Sequence, residues 1–508
     1  MCMNAFARVS FCTLLCCAWA CGADDSTGPG NQQVPVAFTA NFLYTHPRIT
    51  TPGKIWFLVA ANKPVARIEL YNASTKVAEI TPAADSAFIG ASVTAADNGT
   101  QTYVVKAYDA GGAVAQSGVI SVSVDIRWTL IQNLGASGCQ FIATDATNSI
   151  YCAGTTGPPY DMFLVKYDAD GHEQWTRTFG GPDNEFMSSI AIGGSGRVYV
   201  TGAVWGPPPT EVSQCFVSIY RADGSLLATR LIKPALSYCI AAADASNNVY
   251  VIGTGTDATR GWWLALKYDS DGNLLWNREI SRTQFTGFPG SEVTGIAIDA
   301  LGSGIYIGAH TGFTIDGELI RGGRDLVVFK LDGDGNAVWR SHYGSAGLHM
   351  FSTQLTADPN GGVYAAGSTQ DPDVPYDHDN AFIASYAADG THRWLRTIDG
   401  GWGDRGTQIT VNSRGVYLLG WTWGAARPGF DIAERSQGAL KPGSTTLIEA
   451  SMDIFVARFS VAGDLQAVRL LGTQSGEMSS GIVTAANGDI YVAGLGATPL
   501  LARLQDAP

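Results

Sequence analysis

The sequence predicts an all-β protein in which a small β-sandwich precedes a seven-bladed β-propeller. Three observations lead to this fold class. Short runs rich in Val, Ile, Tyr and Thr are separated by Gly, Asp and Asn, which is typical of strands joined by tight turns. A Tyr-containing phrase recurs seven times at a spacing long enough for one four-stranded blade. At 508 residues the chain also exceeds the usual size of one folding unit.

Residues 1–21 have the character of a signal peptide. Arg8 is the only charged residue among them, and the apolar segment 9–20 is too short to span a bilayer. The run Ala18-Trp19-Ala20-Cys21-Gly22 resembles a bacterial lipobox, which implies that Cys21 becomes the lipid-modified first residue of the mature chain. Cys16 or Cys17 could serve instead, and an ordinary cleaved signal is the alternative. Residues 22–34 are rich in small and polar residues and are expected to form a flexible tether.

Export and charge together limit the partners. We expect a chain held at the bacterial outer membrane or cell surface by its lipid anchor, or secreted if no lipid is attached. The formal net charge of -13 repels nucleic acid and anionic lipid, so membrane contact is expected through the anchor alone. The expected partner is a glycan or an envelope or extracellular protein. The chain is expected to be monomeric and to need no cofactor.

Residues 35–125 alternate apolar and polar side chains at a period of two, as in the run Ala66-Arg67-Ile68-Glu69-Leu70-Tyr71. The turn at Asp97-Asn98-Gly99 and the two strand-like runs that follow it resemble the last strands of bacterial immunoglobulin-like domains. The resemblance implies a spacer that holds the next domain away from the membrane, with an independent adhesin as the alternative.

Residues 127–508 contain the repeats, which are centred on tyrosines 48 to 74 residues apart: Tyr151, Tyr199, Tyr250, Tyr306, Tyr364, Tyr417 and Tyr491. A second phrase ends in Asp-Gly, as at Asp170-Gly171, and a Trp often follows four residues later. Each unit predicts an inner strand, a Tyr strand, a third strand, an Asp-Gly hairpin turn and a Trp strand. The unit resembles the SBBP family of bacterial β-propeller repeats, which implies the fold but not a function.

The two ends of this region predict how the ring of blades closes. The last repeat reaches only its third strand, near Leu500 to Leu504, whereas a Trp-bearing strand at Arg127 to Leu130 precedes the first repeat. We expect the N-terminal strand to complete the seventh blade and to remove an exposed sheet edge. Cys139, Cys152, Cys215 and Cys239 are the cysteines beyond the signal, and oxidation after export predicts one or two disulfides in any of three pairings.

Two repeated features resemble ligand-binding sites, but their sequences favour a structural role. The Asp-x-Asp-Gly turns have Lys or Arg where a calcium loop needs carboxylates, so plain hairpin turns are expected. The repeat tryptophans Trp175, Trp276, Trp339 and Trp394 are expected to pack between blades rather than to form a ligand platform.

The irregular loops are the better candidates, because insertions in a repeat fold lie on one face and often bind the partner. Aromatic residues and an Arg in or beside these loops form the candidate ligand-binding set: Trp205, Trp263, Tyr376, Trp402, Trp421, Trp423 and Arg427. Packing of these rings against the rim is the competing interpretation. Asp377, His378 and Asp379 are weak candidates for a metal site, and a solvated acidic loop explains them equally well.

No catalytic residue can be named, because the mature sequence contains no nucleophile-elbow, zinc-protease, Walker or dinucleotide-binding motif. The sequence therefore favours a surface-anchored binding or scaffold protein whose propeller face binds its partner. The alternative is an exported propeller lyase or hydrolase that acts on polysaccharide or peptide, with catalytic groups contributed by different blades.

Overall fold

The computed structural model describes residues 38–504 with gaps, the longest of which are 206–212, 285–290, 372–378 and 424–451. The regular elements of the described part are β-strands, apart from one turn of 3-10 helix at Ala95–Asp97. Among these residues, no helix has the length and apolar character needed to cross a membrane. The signal-like segment, Cys21 and the tether lie outside the described residues.

The N-terminal region forms two sheets around one core. Its strands are β1 (Phe38–Phe42), β2 (Arg48–Ile49), β3 (Gly53–Ala61), β4 (Arg67–Asn72), β5 (Thr75–Ile80), β6 (Ser86–Val93), β7 (Gly99–Tyr108), β8 (Val114–Gln116) and β9 (Ile120–Val124). One sheet has the order β1-β3-β6, and the other has the order β2-β9-β7-β4-β5 with β8 paired to β7. Phe57 and Ile89 of the first sheet share a buried cluster with Leu70, Tyr103 and Val105 of the second. The alternating sequence therefore buries one face of each sheet.

Seven four-stranded antiparallel sheets follow in the described part of the chain, and we number them in the order of their first strands. Sheet 1 contains β11 (Phe141–Thr144), β12 (Ile150–Thr155), β13 (Met162–Tyr167) and β14 (Glu173–Phe179). Sheet 2 contains β15 (Asn184–Ile192), β16 (Val198–Trp205), β17 (Ser213–Tyr220) and β18 (Leu226–Leu231). Sheet 3 contains β19 (Tyr238–Ala243), β20 (Val249–Thr256), β21 (Arg260–Tyr268) and β22 (Leu274–Gln284).

The remaining four sheets repeat this pattern. Sheet 4 contains β23 (Ser291–Ile298), β24 (Gly304–Thr311), β25 (Asp325–Asp332) and β26 (Ala337–Tyr343). Sheet 5 contains β27 (His349–Ala357), β28 (Val363–Gln370), β29 (Asn380–Tyr386) and β30 (His392–Ile398). Sheet 6 contains β31 (Asp404–Asn412), β32 (Gly415–Trp423), β33 (Met452–Phe459) and β34 (Leu465–Leu471). Sheet 7 contains β35 (Glu477–Thr484), β36 (Ile490–Gly496), β37 (Leu500–Leu504) and β10 (Trp128–Asn133).

The sheets pack side by side through their first strands. Each first strand contacts the first strand of the next sheet, and β11 contacts both β15 and β35. The succession of sheets therefore returns to its beginning, as in a β-propeller. The predicted pairing of the two ends of the repeat region is confirmed, because β10 pairs antiparallel with β37 from Trp128 opposite Leu504 to Asn133 opposite Leu500. The repeat tyrosines all lie in second strands and are buried in the packing between sheets.

The Asp-Gly turns and the tryptophans join neighbouring sheets. The turns are hairpins, as expected, with positive φ at the Gly, for example 81° at Gly335. The indole Nε1 of Trp276 in sheet 3 donates to the carbonyl oxygen of Gly333 in sheet 4 at 3.0 Å. Trp339 and Trp394 donate in the same way to turns of sheets 5 and 6. The prediction that these tryptophans pack between blades is confirmed.

Two disulfides are present in the described part of the chain. Cys139, just before β11, pairs with Cys152 of β12, with their Cα atoms 5.3 Å apart. Cys215 of sheet 2 pairs with Cys239 of sheet 3, with a Cα separation of 6.2 Å. The second disulfide therefore cross-links two adjacent sheets. Together the two disulfides form one of the three pairings that the sequence left open.

Candidate functional site

Two kinds of connection emerge at one edge of the sheets, which we call the loop face. In sheet 4, Ser291 at the start of the first strand pairs with Thr311 at the end of the second, and Thr311 pairs with Asp325 at the start of the third. The connections between sheets and the loops after the Tyr strands therefore emerge at the same edge, as the sequence predicted.

A set of large side chains begins the first strands at the loop face. In six of the sheets, the residue four places after the repeat tyrosine pairs with a large side chain near the start of the first strand. We call these first-strand residues the mouth residues: Phe186, Tyr238, Glu292, Phe351, Arg405 and Met478. Phe186, Tyr238 and Met478 are 37%, 42% and 44% exposed, although residues of these types are commonly found in protein cores. Because the first strands contact one another in succession, the mouth residues follow one another around the loop face.

The structure places Trp205 and Trp421 beside mouth residues. The ring of Trp205 is 49% exposed and lies 6.2 Å from that of Phe186, which in turn lies 5.1 Å from that of Tyr160. Trp421 pairs with Arg405, whose guanidinium lies 5.4 Å from the Trp421 ring. These two predicted residues therefore lie on the surface on which a partner could bind.

The other predicted ligand-binding residues divide into two groups. Trp263 is 1% exposed and packs edge-on against Phe329 at 5.7 Å, in the core between sheets 3 and 4. Its ring is therefore not part of an exposed surface, because strand alternation turns it into the packing between sheets. The side chains of Tyr376, Trp402, Trp423 and Arg427 lie outside the described residues.

Asp379 is the one member of the weak metal candidate whose surroundings are described, since Asp377 and His378 fall in a gap. This residue is 5% exposed, and its Oδ2 accepts a hydrogen bond from Arg405 Nε at 2.6 Å. Its backbone oxygen accepts a hydrogen bond from the Asp404 amide at 2.6 Å. Among the described residues, no group of three or more His, Cys, Asp or Glu could hold a metal ion. Asp379 instead ties the segment before β29 to the start of β31.

Two histidines, His310 of sheet 4 and His349 of sheet 5, lie against the ring of Phe351. The imidazole of His310 lies 5.7 Å from the Phe351 ring, and that of His349 stacks on the same ring at 6.4 Å. Arg324 lies over this ring at 4.8 Å. Burial, with a smaller contribution from Arg324, lowers the pKa of His310 to about 4, so its imidazole is neutral at pH 7. Sequence reasoning missed this cluster, because only the pairing of distant strands brings its members together.

His342 of sheet 4 forms an ionisable pair with Asp325, with His342 Nε2 2.7 Å from Asp325 Oδ2. The carboxylate of Asp325 is completely buried and also accepts hydrogen bonds from the amides of Arg321 and Gly322 at 2.6 and 2.8 Å. A catalytic base must reach its substrate, whereas this carboxylate is saturated by a loop that it anchors. The pair therefore has a structural role.

Comparison with known proteins identifies similar folds but no family. No protein-family model matches the sequence, and no curated protein is significantly similar to it. The structure is similar to the β-propeller domain of the Trilobed protease from Pyrococcus furiosus, at 9% identity and a TM-score of 0.39, covering 73% of this chain and 95% of that one. It is also similar to a quinonprotein alcohol dehydrogenase-like protein from Bacteroides thetaiotaomicron, at 11% identity and a TM-score of 0.31, covering 71% and 96%.

A third similar structure is that of puromycin hydrolase, at 11% identity and a TM-score of 0.40, covering 78% of this chain and 57% of that one. At such identities and TM-scores, the activities of these proteins do not extend to this chain. The resemblances to SBBP repeats, to a lipobox and to immunoglobulin-like domains stay predictions.

Proposed function

We propose that the chain is an envelope-anchored binding protein whose loop face binds a glycan or a protein partner. In this proposal the seven sheets are the blades of a closed seven-bladed propeller, and the N-terminal region is an immunoglobulin-like spacer. A lipid on Cys21 anchors the chain to the bacterial outer membrane or cell surface. The observation that carries the proposal is the exposure of large side chains at the mouth positions.

The energetic argument concerns what exposure costs. Transfer of an aromatic side chain out of water lowers the free energy. Partial exposure of Phe186, Tyr238 and Trp205 at one edge therefore does not stabilise the fold. Exposed aromatic rings beside an Arg are typical of binding surfaces, where they supply contact area at a low entropy cost. By contrast, the ionisable pair Asp325–His342 is buried and anchors a loop, so it does not support the lyase or hydrolase alternative.

The test is retention of the purified full chain on an array of glycans and cell-envelope proteins. Tyr238→Ala and Trp421→Ala should each weaken retention by about tenfold or more, since truncation of an interface aromatic costs more than about 1 kcal/mol. Trp423→Ala tests the neighbouring position. Leu274→Ala is the matched control, because Leu274 is 50% exposed but lies next to the Asp-Gly turn, away from the loop face.

Equal retention of the three aromatic variants and the Leu274 control would place binding elsewhere and overturn the proposal. A partner that is consumed during the assay, rather than retained, would favour the enzyme alternative over a binding role.

A further inference from the structure

Three junctions between neighbouring sheets share one backbone arrangement at the loop face. Just before the third strand of one sheet, a backbone carbonyl accepts a hydrogen bond from the amide that precedes the mouth residue of the next sheet. We call the residue with this carbonyl the collar residue. The hydrogen bonds join Tyr160 to Glu185 at 3.0 Å, Arg324 to Met350 at 3.0 Å and Asp379 to Asp404 at 2.6 Å.

The side chains at these junctions differ, although the backbone arrangement is the same. At two junctions the mouth residue is a Phe whose ring contacts the collar residue: Phe186 with Tyr160 at 5.1 Å and Phe351 with Arg324 at 4.8 Å. At the junction of sheets 5 and 6 the mouth residue is Arg405, and its Nε donates to the collar residue Asp379 at 2.6 Å. Because Phe serves at the other two junctions, the fold does not require an Arg at this position.

Asp379 holds one side of the Arg405 guanidinium and leaves the other side open. The carboxylate is buried, whereas the Arg405 side chain is 49% exposed. Nε is the only nitrogen of this guanidinium that donates a hydrogen bond within the described part of the chain. Nη1 and Nη2 therefore form a pair of donors at the loop face. A Lys would also place a positive charge opposite Asp379, so the ion pair alone does not explain why this residue is Arg.

Trp421 lies beside this donor pair. It is directly opposite Arg405 in the ladder between β31 and β32, so both side chains project from the same face of sheet 6. The guanidinium lies 5.4 Å from the centre of the indole, and Trp421 is itself partly exposed. A guanidinium that is held by a carboxylate and a ring loses little entropy on binding, so the donor pair is preorganised.

The donor pair and the indole together favour one class of ligand. Two parallel N–H donors match the two oxygens of a carboxylate, and such charge-assisted bonds are stronger than those between neutral groups. The indole offers apolar surface to the group that carries the carboxylate. In an acidic sugar the carboxylate is bonded directly to the ring, whereas in a peptide it ends a flexible side chain that loses more entropy on binding.

The charge of the whole chain limits how many carboxylates the ligand can carry. The formal net charge of -13 repels a polyanion, so a ligand with isolated acidic groups is favoured. We propose that Arg405 and Trp421 bind the acidic sugar of a glycan that carries isolated uronic or sialic acid residues. This inference rests on the proposed function and narrows its ligand to one class.

The test compares acidic glycans with their neutral counterparts. The full chain is applied to an array of oligosaccharides that each carry one uronic or sialic acid residue, and each is printed beside its carboxyl-reduced form. Calorimetry then measures the affinity of the retained oligosaccharides. The reduced form should bind about tenfold more weakly or worse, because it keeps the sugar ring and lacks the acceptor of the charge-assisted hydrogen bonds.

Arg405→Lys is the informative variant, because Lys keeps a positive charge opposite Asp379 and removes the paired donors. It should weaken binding of the acidic glycan by about tenfold or more and leave binding of the reduced form unchanged. Arg221→Lys is the matched control, since Arg221 is exposed in the hairpin turn of sheet 2, away from the loop face. Circular dichroism and thermal melting verify that both variants fold.

Equal affinity for the acidic and reduced forms, or native binding by Arg405→Lys, would overturn the carboxylate site. Retention of neutral glycans or envelope proteins alone, weakened by Tyr238→Ala but not by Arg405→Lys, would also overturn it and would leave the proposed function standing. Absence of retention on every array would contradict the proposed function and this inference together.

Discussion

In sheets 1, 4 and 5 a buried carboxylate accepts a hydrogen bond from the hydroxyl of the repeat tyrosine. Asp145 accepts from Tyr151 at 2.9 Å, and Asp358 accepts from Tyr364 at 3.1 Å. In sheet 1, Lys166 also donates to Asp145 at 3.2 Å. A buried tyrosine needs a partner for its hydroxyl, so this carboxylate explains why these three sheets have Tyr at a position where Phe would fill the same space.

The carboxylate of Asp145 should make stability depend on acid pH. Burial alone would raise the pKa of Asp145, but hydrogen bonds from Thr147, Ser149, Tyr151 and Lys166 outweigh it and lower the pKa from 3.8 to about 2. Because the folded pKa is lowered, the stabilisation is complete above about pH 4 and is lost as the pH falls toward 2. Asp145→Asn should therefore unfold at lower urea concentration than the native chain at pH 7, and the difference should shrink toward pH 2. A constant difference across this range would contradict the assignment.

At the scale of elements, the hairpin turn of one sheet fits against the fourth strand of the preceding sheet. In the turn at Gly335, a Cβ atom would lie 2.9 Å from Arg278 Cγ and 3.1 Å from the indole of Trp276. Arg278 also donates to the carbonyl oxygen of Asp334 at 3.2 Å. This position therefore requires Gly for two reasons: its φ is positive, at 81°, and the Trp strand of the neighbouring sheet approaches it closely.

Gly488 separates these two requirements, because it has a φ of 86° in a similar turn, and a methyl group added there would meet no neighbouring atom within 4 Å. Gly488→Ala should cost only the backbone term, about 1 kcal/mol. Gly335→Ala should cost about 3 kcal/mol, because the added methyl must also displace a rigid indole. Urea unfolding of both variants measures the difference. Equal costs would mean that the contact with Trp276 contributes nothing.

The sequence predicted the features that depend on local chemistry, and it did not predict those that depend on distant contacts. Asp-Gly followed by Trp marks a hairpin wherever it occurs, so the turns, the tyrosine strands and the packing of the tryptophans could be predicted. Trp263 was misleading because adjacent tryptophans on a strand face opposite ways, and period two does not say which one is buried. The cluster of His310, His349 and Phe351 has no local signal, since it forms only when sheets 4 and 5 pack together.

At the scale of the whole molecule, β10 decides whether the last sheet has a free edge. β10 pairs with β37, the third strand of sheet 7, and so occupies the place that a fourth strand has in the other six sheets of the described chain. Without it, β37 would present unpaired backbone groups to solvent, which costs hydrogen bonds and invites pairing with a second chain. The closure also joins the first and last parts of the repeat region, so it stabilises the ring as a unit.

Deletion of residues 127–133 from the full chain should therefore lower the Tm by roughly 5 °C, which for a domain of this size corresponds to a loss of about 4 kcal/mol. Deletion of the equally long segment 24–30, from the predicted tether, is the matched control and should leave the Tm unchanged. Differential scanning calorimetry measures both, and light scattering should detect self-association of the first variant alone, through the edge of β37. If the two deletions melt at the same temperature, the ring is closed by the contacts between first strands, such as β11 with β35, and β10 only covers the edge of sheet 7.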